Sequence, residues 1–456
     1  MKRILIVGGG PAGYVAAGRA AQLGAAVTLV ETREIGGTCL NRGCIPTKAL
    51  IAGAERLRQV RDASAFGIRT GEVEFDFAAF MDRKERVTSM LRDGVDHLLK
   101  ARKVEVITGW ARLSGAHTLA LSDGRELHGD AIIIATGSEP VRLGLFDWSD
   151  PRIMTSDEAL RIESVPETLA IVGGGAIGCE FASLFATLGT EVFVIEMMSQ
   201  LIPGEGMRAS KTLQQAFKRT GIDVSLAVRV ESAAPEGEDI ALHLDNGRVI
   251  SAARVLVAVG RRPLTSDAGL TDTGVRLDER GYVVTDRTLR TSVADVFAAG
   301  DVTGPPMLAH WAYHQGVIAA ENAVTGASRM LDERVVPSVA FSVPEVASCG
   351  MSEERAATEN VPITIAHVRL NSNSKAVIEG NADGFVRIVC EAESGRILGA
   401  SVLGPHAAEL IHELALATHA GLTLESLAGT IHAHPTLSEA IGEAANAALG
   451  HGIHSL

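Results

Sequence analysis

The chain has 456 residues, 46% hydrophobic and 21% charged, with a net charge of -13; this is the profile of a soluble globular enzyme of two to four domains. The acidic balance argues against general nucleic-acid affinity, and no apolar run approaches the roughly 18 residues that span a bilayer. Five cysteines are too few for a secreted disulfide framework and fit a reducing cytoplasm.

Ile4 to Val7 reads as a short apolar strand, too close to the start to leave room for a signal peptide. It feeds Gly8-Gly9-Gly10-Pro11-Ala12-Gly13 and an alanine-rich helix from Tyr14 to Leu23; a second strand, Ala26 to Val30, ends in Glu31. Glycines so placed let a backbone approach a pyrophosphate on a helix N-terminus, and the acid holds ribose hydroxyls.

Gly36-Gly37-Thr38-Cys39-Leu40-Asn41-Arg42-Gly43-Cys44-Ile45-Pro46-Thr47-Lys48 follows directly. A close cysteine pair can be a metal clip, a structural disulfide or a redox dithiol, and beside a redox cofactor the last makes chemical sense. No further Cys or His stands nearby in a zinc-like spacing. Both cysteines are expected at a helix start, where unpaired amides and the helix dipole stabilise thiolates. Pro46 is expected to weaken regular hydrogen bonding at this turn.

The apolar run Ala131 to Ala135 reads as a buried parallel strand ending in Thr136-Gly137-Ser138. The opening pattern then returns. Thr168 to Val172 leads into Gly173-Gly174-Gly175-Ala176-Ile177-Gly178, a helix through Phe181 to Leu188, and a strand from Val192 to Ile195 ending in Glu196. One such glycine loop is weak evidence; two, each framed by strand and helix and each with an acid about 20 residues on, are strong. Two loops imply two dinucleotides and electron transfer between them. Glu196 would accept ribose hydroxyls and repel a 2′-phosphate, and Met197 and Met198 stand where an NADP enzyme would want arginines. Two more strands, Val255 to Val259 and Val296 to Ala299, end in Gly260-Arg261-Arg262-Pro263 and Gly300-Asp301. Ligands bind where such strands end.

Arg329 to Arg334 is polar enough to be a linker, and beyond it the glycine loops give way to strands (Val336 to Ser342, Phe385 to Glu391, Ile397 to Leu403) and helices (Ala407 to Ala420, Ser438 to Leu449). His434 is a candidate base, since imidazole exchanges protons near neutral pH, with Glu439 to orient its ring. Thr436 to Glu439 also spells a capping box, and His432 with His434 could be a metal pair or core histidines. Cys179, Cys349 and Cys390 sit in apolar contexts and read as buried free thiols.

The stretch from Gly36 to Leu50 resembles the active-site signature of the pyridine nucleotide-disulphide oxidoreductases, and His432-Ala433-His434-Pro435-Thr436-Leu437-Ser438-Glu439 narrows the likeness to the members that oxidise dihydrolipoamide with NAD. The resemblance covers nearly the whole chain. It implies an α/β fold with two Rossmann-like dinucleotide-binding domains, for FAD (1–145 and 263–334) and NAD (146–262), and a C-terminal α+β dimerisation domain (335–456). FAD would lie on Gly8, Gly10 and Gly13, with Glu31, Thr38, Lys48, Ala111 (the last residue of Gly109-Trp110-Ala111), Thr136, Gly137, Ser138, Asp301, Met307, Leu308, Ala309 and His310. NAD would lie on Gly173, Gly175, Ala176, Ile177 and Gly178, with Glu180, Glu196, Val230 and Gly260. Cys39 would exchange with substrate and Cys44 would face the flavin as the charge-transfer thiolate, while Lys48 and Glu180 would meet between flavin and nicotinamide. The base His434 would come from the second copy of a homodimer. The implied partner is a lipoyl-bearing subunit of a 2-oxoacid dehydrogenase or glycine-cleavage complex; no metal, nucleic acid or membrane is expected. Departures from the family pattern fall at Leu264, Trp311, Gln315 and Lys375, none on the redox pair or the histidine. The rival within the class is a reductase of another low-molecular-weight disulfide or a quinone. Glu196 disfavours glutathione-type reduction, and the absence of a cysteine pair from His451 to Leu456 disfavours mercuric reduction. A non-catalytic protein that keeps the fold would be expected to lack the cysteines or the base, and both are present.

Overall fold

The computed structural model describes residues 1–454; Ser455 and Leu456, the end of the last expected domain and of the cysteine-free tail, lie outside them. Five strands form a parallel sheet in the order Val296–Ala298, Ala131–Ile134, Arg3–Val7, Ala26–Glu31, Glu105–Thr108. Ala131–Ile134 is buried on both faces, which is why it reads as an unbroken apolar run rather than an alternation. A second parallel sheet repeats the plan, with Asp223–Leu226, Glu191–Glu196, Thr168–Val172, Arg254–Val257 and Ile153–Met154 in that order.

The chain crosses from the first sheet to the second and back through two short strands, Ser138–Pro140 and Arg261–Pro263, which pair antiparallel. The sheet after residue 335 is antiparallel: Ser338–Ala340, Glu345–Gly350, Ile397–Gly404, Phe385–Glu391, Ile363–Arg369. Val386, Ile388 and Val402 pack there against Ile411 and Leu414 of the helix Ala407–His419 and Ile441 of the helix Glu439–Ala448. Cys179, Cys349 and Cys390 are buried free thiols.

Two strands end at least two residues short of the sequence reading. The expected Val255–Val259 stops at Val257. There the Ala258 N–H bonds the Val172 carbonyl at 2.7 Å, and the chain turns over the second glycine loop. Of Val336–Ser342 only Ser338–Ala340 is strand. Beyond it the Phe341 N–H bonds the Glu180 carboxylate and the Val343 N–H bonds the Ser183 hydroxyl, so these amides tie the third sheet to the helix Ala176–Leu188 instead of extending a ladder.

The two glycine loops obey the same sterics. Gly8 and Gly173 have φ of +100° and +113°, and a Cβ on either would strike the carbonyl oxygen of Ala135 at 2.2 Å or of Ala258 at 2.4 Å. The last glycines, Gly13 and Gly178, let each helix cross its strand; a Cβ would lie 1.8 Å from the Gly8 oxygen and 1.9 Å from the Gly173 oxygen. A methyl group at Gly178 must push strand and helix apart, so Gly178→Ala is expected to cost about 1–3 kcal/mol, read as a lowered Tm. Gly94, exposed inside the helix Phe77–Ala101, has nothing within 4 Å of its Cβ direction. There Gly94→Ala is expected to raise stability by up to about 1 kcal/mol.

Candidate active site

Both glycine loops, the redox turn and the strand ends meet in one cleft of about 1470 Å³. Gly8, Gly10, Glu31, Thr38, Cys39, Cys44, Lys48, Ala111, Thr136, Gly137, Ser138, Asp301, Met307, Leu308 and Ala309 line it on the first side. Gly173, Gly175, Ala176, Ile177, Glu180, Glu196, Val230 and Gly260 line it on the second. Gly13 and Gly178 stand behind the loops as packing residues. His310 opens the helix Ala309–Thr325, but its Nε2 meets the Pro337 carbonyl at 2.7 Å, so its ring turns toward the third sheet.

The cleft suits two dinucleotides. Nothing lies within 4 Å of the Cβ directions of Gly137 and Gly175, and only Gly37 Cα, at 3.8 Å, faces that of Gly10. Backbone is therefore bare where a pyrophosphate needs close approach. The Thr136 hydroxyl is buried in the cleft wall without a protein partner, a polar atom placed for a ligand. Glu31 Oε2 accepts the Gly9 N–H at 2.5 Å, and Glu196 accepts those of Gly174 at 2.6 Å and Met198 at 2.7 Å. Each acid is thus held at its strand end beside a loop, where ribose hydroxyls would lie. The residues present fit FAD at the first loop and NAD at the second.

The redox turn is built unevenly. Cys39 is the third residue of a six-residue helix, Gly37–Arg42, whereas Cys44 is the first residue of an 18-residue helix, Cys44–Arg61. Both cysteines therefore lie in the first turn of a helix, as the sequence suggested, Cys44 at the first position of the longer one. Pro46, by contrast, does not disturb the turn as the sequence suggested. It is the third residue of that helix, where an N–H would lack an intrahelical partner anyway, and the first regular bond, Thr47 N–H to the Gly43 carbonyl, forms at 3.1 Å.

Both cysteines are free thiols. A hydrogen bond from Cys39, helped by the Lys48 charge and opposed by burial and by Glu180, lowers Cys44 to about 7. The same hydrogen bond, with burial, pushes Cys39 up. The thiolate therefore belongs to Cys44, the sulfur at the helix N-terminus.

Lys48 and Glu180, 132 residues apart, meet: Nζ donates to both carboxylate oxygens at 2.8 Å. Glu180 is 4% exposed and also accepts the Phe341 N–H at 3.0 Å, while the ammonium lies 4.7 Å from the centre of the Phe341 ring. Arg261 binds Ser138, Nε to Oγ and Nη2 to the carbonyl, both at 2.8 Å, and Ser138 donates to Asp301 at 2.5 Å. Buried Arg42 holds Glu34 at 2.8 Å and comes within 3.7 Å of Asp157. Sequence reasoning passed over Phe341, Arg42 and the role of Arg261. Arg42 and Arg261 lie inside motifs it had singled out; nothing local marks Phe341.

His434 and Glu439 do not reach this cleft within the chain. The His434 side chain is 70% exposed, its Nδ1 2.9 Å from Glu439. Burial opposes charge on Glu439, but hydrogen bonds from the Thr436 N–H at 2.8 Å and from the ring hold its carboxyl below the ordinary range. Glu439 thus makes one half of a capping box and holds His434 as well. The other half is missing, because the Thr436 hydroxyl turns to the Ala433 carbonyl at 2.7 Å. His432 is a separate, half-buried group paired with Glu413 at 2.9 Å. Among the described residues no group of three or more His, Cys, Asp or Glu could hold a metal, and no helix is long and apolar enough to cross a membrane.

Cys44 titrating at about 7 implies that its thiolate, followed by ultraviolet absorbance of the reduced protein, disappears as pH falls through about 7. Lys48→Met removes a charge that favours the thiolate and should move that midpoint upward. It also strips buried Glu180 of its cation, and an accompanying loss of about 1–3 kcal/mol is expected, below the fully buried case because Lys48 is 31% exposed.

Known proteins share this architecture. Residues 2–316 match the model of the pyridine nucleotide-disulphide oxidoreductases, and residues 336–445 match that family's dimerisation domain. A dihydrolipoyl dehydrogenase of Chlamydia trachomatis is 44% identical over 99% of this chain and 97% of its own length. One from Geobacillus stearothermophilus is 40% identical over the same shares. Among solved structures, LpdA from Mycobacterium tuberculosis superimposes with a TM-score of 0.91 at 29% identity, over 98% of this chain and 99% of its own. An HOCl-induced flavoprotein disulfide reductase from Escherichia coli gives 0.88 at 29% identity, over 97% and 98%. Two glycine cradles, a cysteine pair between them and matches that run from residue 2 to residue 445 place this chain in the pyridine nucleotide-disulphide oxidoreductase family.

Proposed function

We propose that this protein is a dihydrolipoyl dehydrogenase, oxidising a dihydrolipoyl dithiol on a partner subunit while NAD is reduced. The observation that carries this reading is the asymmetric cysteine pair set between two dinucleotide cradles in one cleft. Full-length relatives bearing that name support it.

In the oxidised enzyme Cys39 and Cys44 share a disulfide. A substrate thiolate attacks Cys39 Sγ, the Cys39–Cys44 bond breaks, and Cys44 leaves as the thiolate that its helix N-terminus and Lys48 favour. The second substrate sulfur then attacks the first, closing the cyclic disulfide and releasing Cys39; the substrate loses two electrons and the cysteine pair gains them. His434 takes the proton of the attacking thiol, the proton of the second thiol passes to Cys39 as it leaves, and Glu439 orients the ring and stabilises the imidazolium. Because His434 is exposed and outside its own cleft, it serves the cleft of the second copy in a homodimer. Bound FAD supplies two-electron exchange between the cysteine pair and the nicotinamide. Glu180 holds Lys48 at the meeting point of the two cradles, and Glu196 selects NAD. The lipoyl group is carried by a subunit of a 2-oxoacid dehydrogenase or glycine-cleavage complex.

NADH formation from dihydrolipoamide and NAD tests the activity, and its absence in flavin-loaded protein would sink this reading. His434→Gln should lower that rate about 10²–10⁴-fold. Heterodimers formed from His434→Gln and Cys39→Ser chains should regain activity, since one cleft then has both cysteines and a base; no recovery in confirmed heterodimers would place the base within its own chain. Glu196→Gln keeps hydrogen bonding but removes the charge, and should narrow the preference for NAD over NADP by about tenfold in kcat/KM.

A further inference from the structure

Phe341 belongs to neither nucleotide sheet, yet it touches both partners of the buried ion pair. It follows the short strand Ser338–Ala340, where the chain leaves the third sheet. Its amide donates at 3.0 Å to Glu180 Oε1, the oxygen that also receives Lys48 Nζ at 2.8 Å. Its ring centre lies 4.7 Å from the same ammonium. One residue thus holds the anion with its backbone and the cation with its side chain. Val339, two positions earlier, lines the cleft, whereas Phe341 does not, so the ring reaches the ammonium from behind the cleft wall.

The carboxylate does not need the ring, because any residue but proline offers the amide. The ring therefore has to be explained by the cation. An ammonium within about 6 Å of a ring centroid is attracted to the negative π face, and an aliphatic side chain offers no such attraction. The Lys48 side chain is 31% exposed on a flexible stem. Without the ring, its head can swing along Glu180 toward solvent. Where that head rests matters to the redox pair. Lys48 stands four residues after Cys44 in the helix Cys44–Arg61, and residues so spaced share one helix face. Both line the cleft, and the ammonium is one of the groups that favour the Cys44 thiolate.

We propose that Phe341 is a positioning residue of the redox centre: its ring pins the Lys48 ammonium on the helix face that carries Cys44, while its amide pins Glu180. The dimerisation domain thereby sets the charge felt by a sulfur of the redox turn. The inference concerns the reduced cysteine pair itself and holds whichever dithiol reduces it. The charged and titratable groups facing Cys44 are Lys48 from its own helix, Cys39 from the helix Gly37–Arg42, Glu180 from Ala176–Leu188 and the neutral Tyr313 phenol from Ala309–Thr325. In the proposed function His434 of the second copy joins them.

The test is a pH titration of the Cys44 thiolate in holoenzyme reduced by two electrons with dithionite, read from its long-wavelength absorbance against the flavin. Phe341→Leu keeps the amide and loses only the ring, and should move the midpoint up by about half a pH unit. Phe341→Tyr keeps a π face and should stay within about 0.2 units of the unaltered protein. In a Lys48→Met background the Phe341→Leu shift should vanish, because no cation is left to hold. Phe341→Met carries the test if Phe341→Leu does not fold. Profiles of the ringless variants that superimpose on the unaltered protein's would overturn the proposal. So would a shift of equal size in the Lys48→Met background, which would mark a packing role. None of these readings uses dihydrolipoamide, so failure here and failure of the proposed activity are distinguishable.

Discussion

Glu180 is a carboxylate with almost no access to water, and such a group is tolerable only with a cation and hydrogen-bond donors around it. Lys48 arrives from the redox helix, and the Phe341 amide arrives from the start of the third sheet. The need of one buried charge therefore joins the first nucleotide sheet, the second and the C-terminal sheet at a single point. That point lies beside Cys44. The ammonium that satisfies Glu180 also favours the Cys44 thiolate, while Glu180 opposes it. Folding and redox chemistry thus draw on the same ion pair, and neither partner can be altered for one without the other.

Around this junction the two nucleotide cradles are near copies. In both, the first glycine adopts a left-handed φ because the next strand's carbonyl leaves no room for a Cβ, and the last lets helix and strand touch. Between them, Gly10 and Gly175 are left open to the cleft. The same backbone solution, used twice, faces two dinucleotides across the redox turn. The crossing strands Ser138–Pro140 and Arg261–Pro263 pair with each other, and Arg261 clasps Ser138, which in turn binds Asp301. The path between the sheets is thereby fixed at the cleft wall itself.

The chain carries a proton acceptor that its own cleft does not use. His434 and Glu439 are held together with good geometry yet face outward from the dimerisation domain. A side chain oriented by a carboxylate and left in solvent has no folding benefit that would explain its placement. In the proposed function a second copy gives it one, since each copy would lend its histidine to the other's cleft. Oligomerisation would then be part of the chemistry and not only of stability.

Much of this was written in local sequence. The two glycine loops, the acids that follow them and the spacing of Cys39 and Cys44 are short-range patterns, because the backbone geometry they serve is set by residues a few positions apart. Continuous apolar runs such as Ala131–Ile134 announced parallel strands for the same reason. The meeting of Lys48 with Glu180 was suggested by family resemblance, but the Phe341 amide and ring that complete it and the approach of Arg42 to Asp157 had no local sign. Each joins residues separated by tens or hundreds of positions, and only packing brings them together. The sequence by itself determined which cofactors the chain is built to hold and, through its resemblance, named the cysteine pair and Cys44 as the thiolate that would face the flavin. Tertiary structure alone decided what favours Cys44 over Cys39. A helix N-terminus, a neighbouring thiol and an ammonium must converge on one sulfur for that, and convergence is a property of the fold.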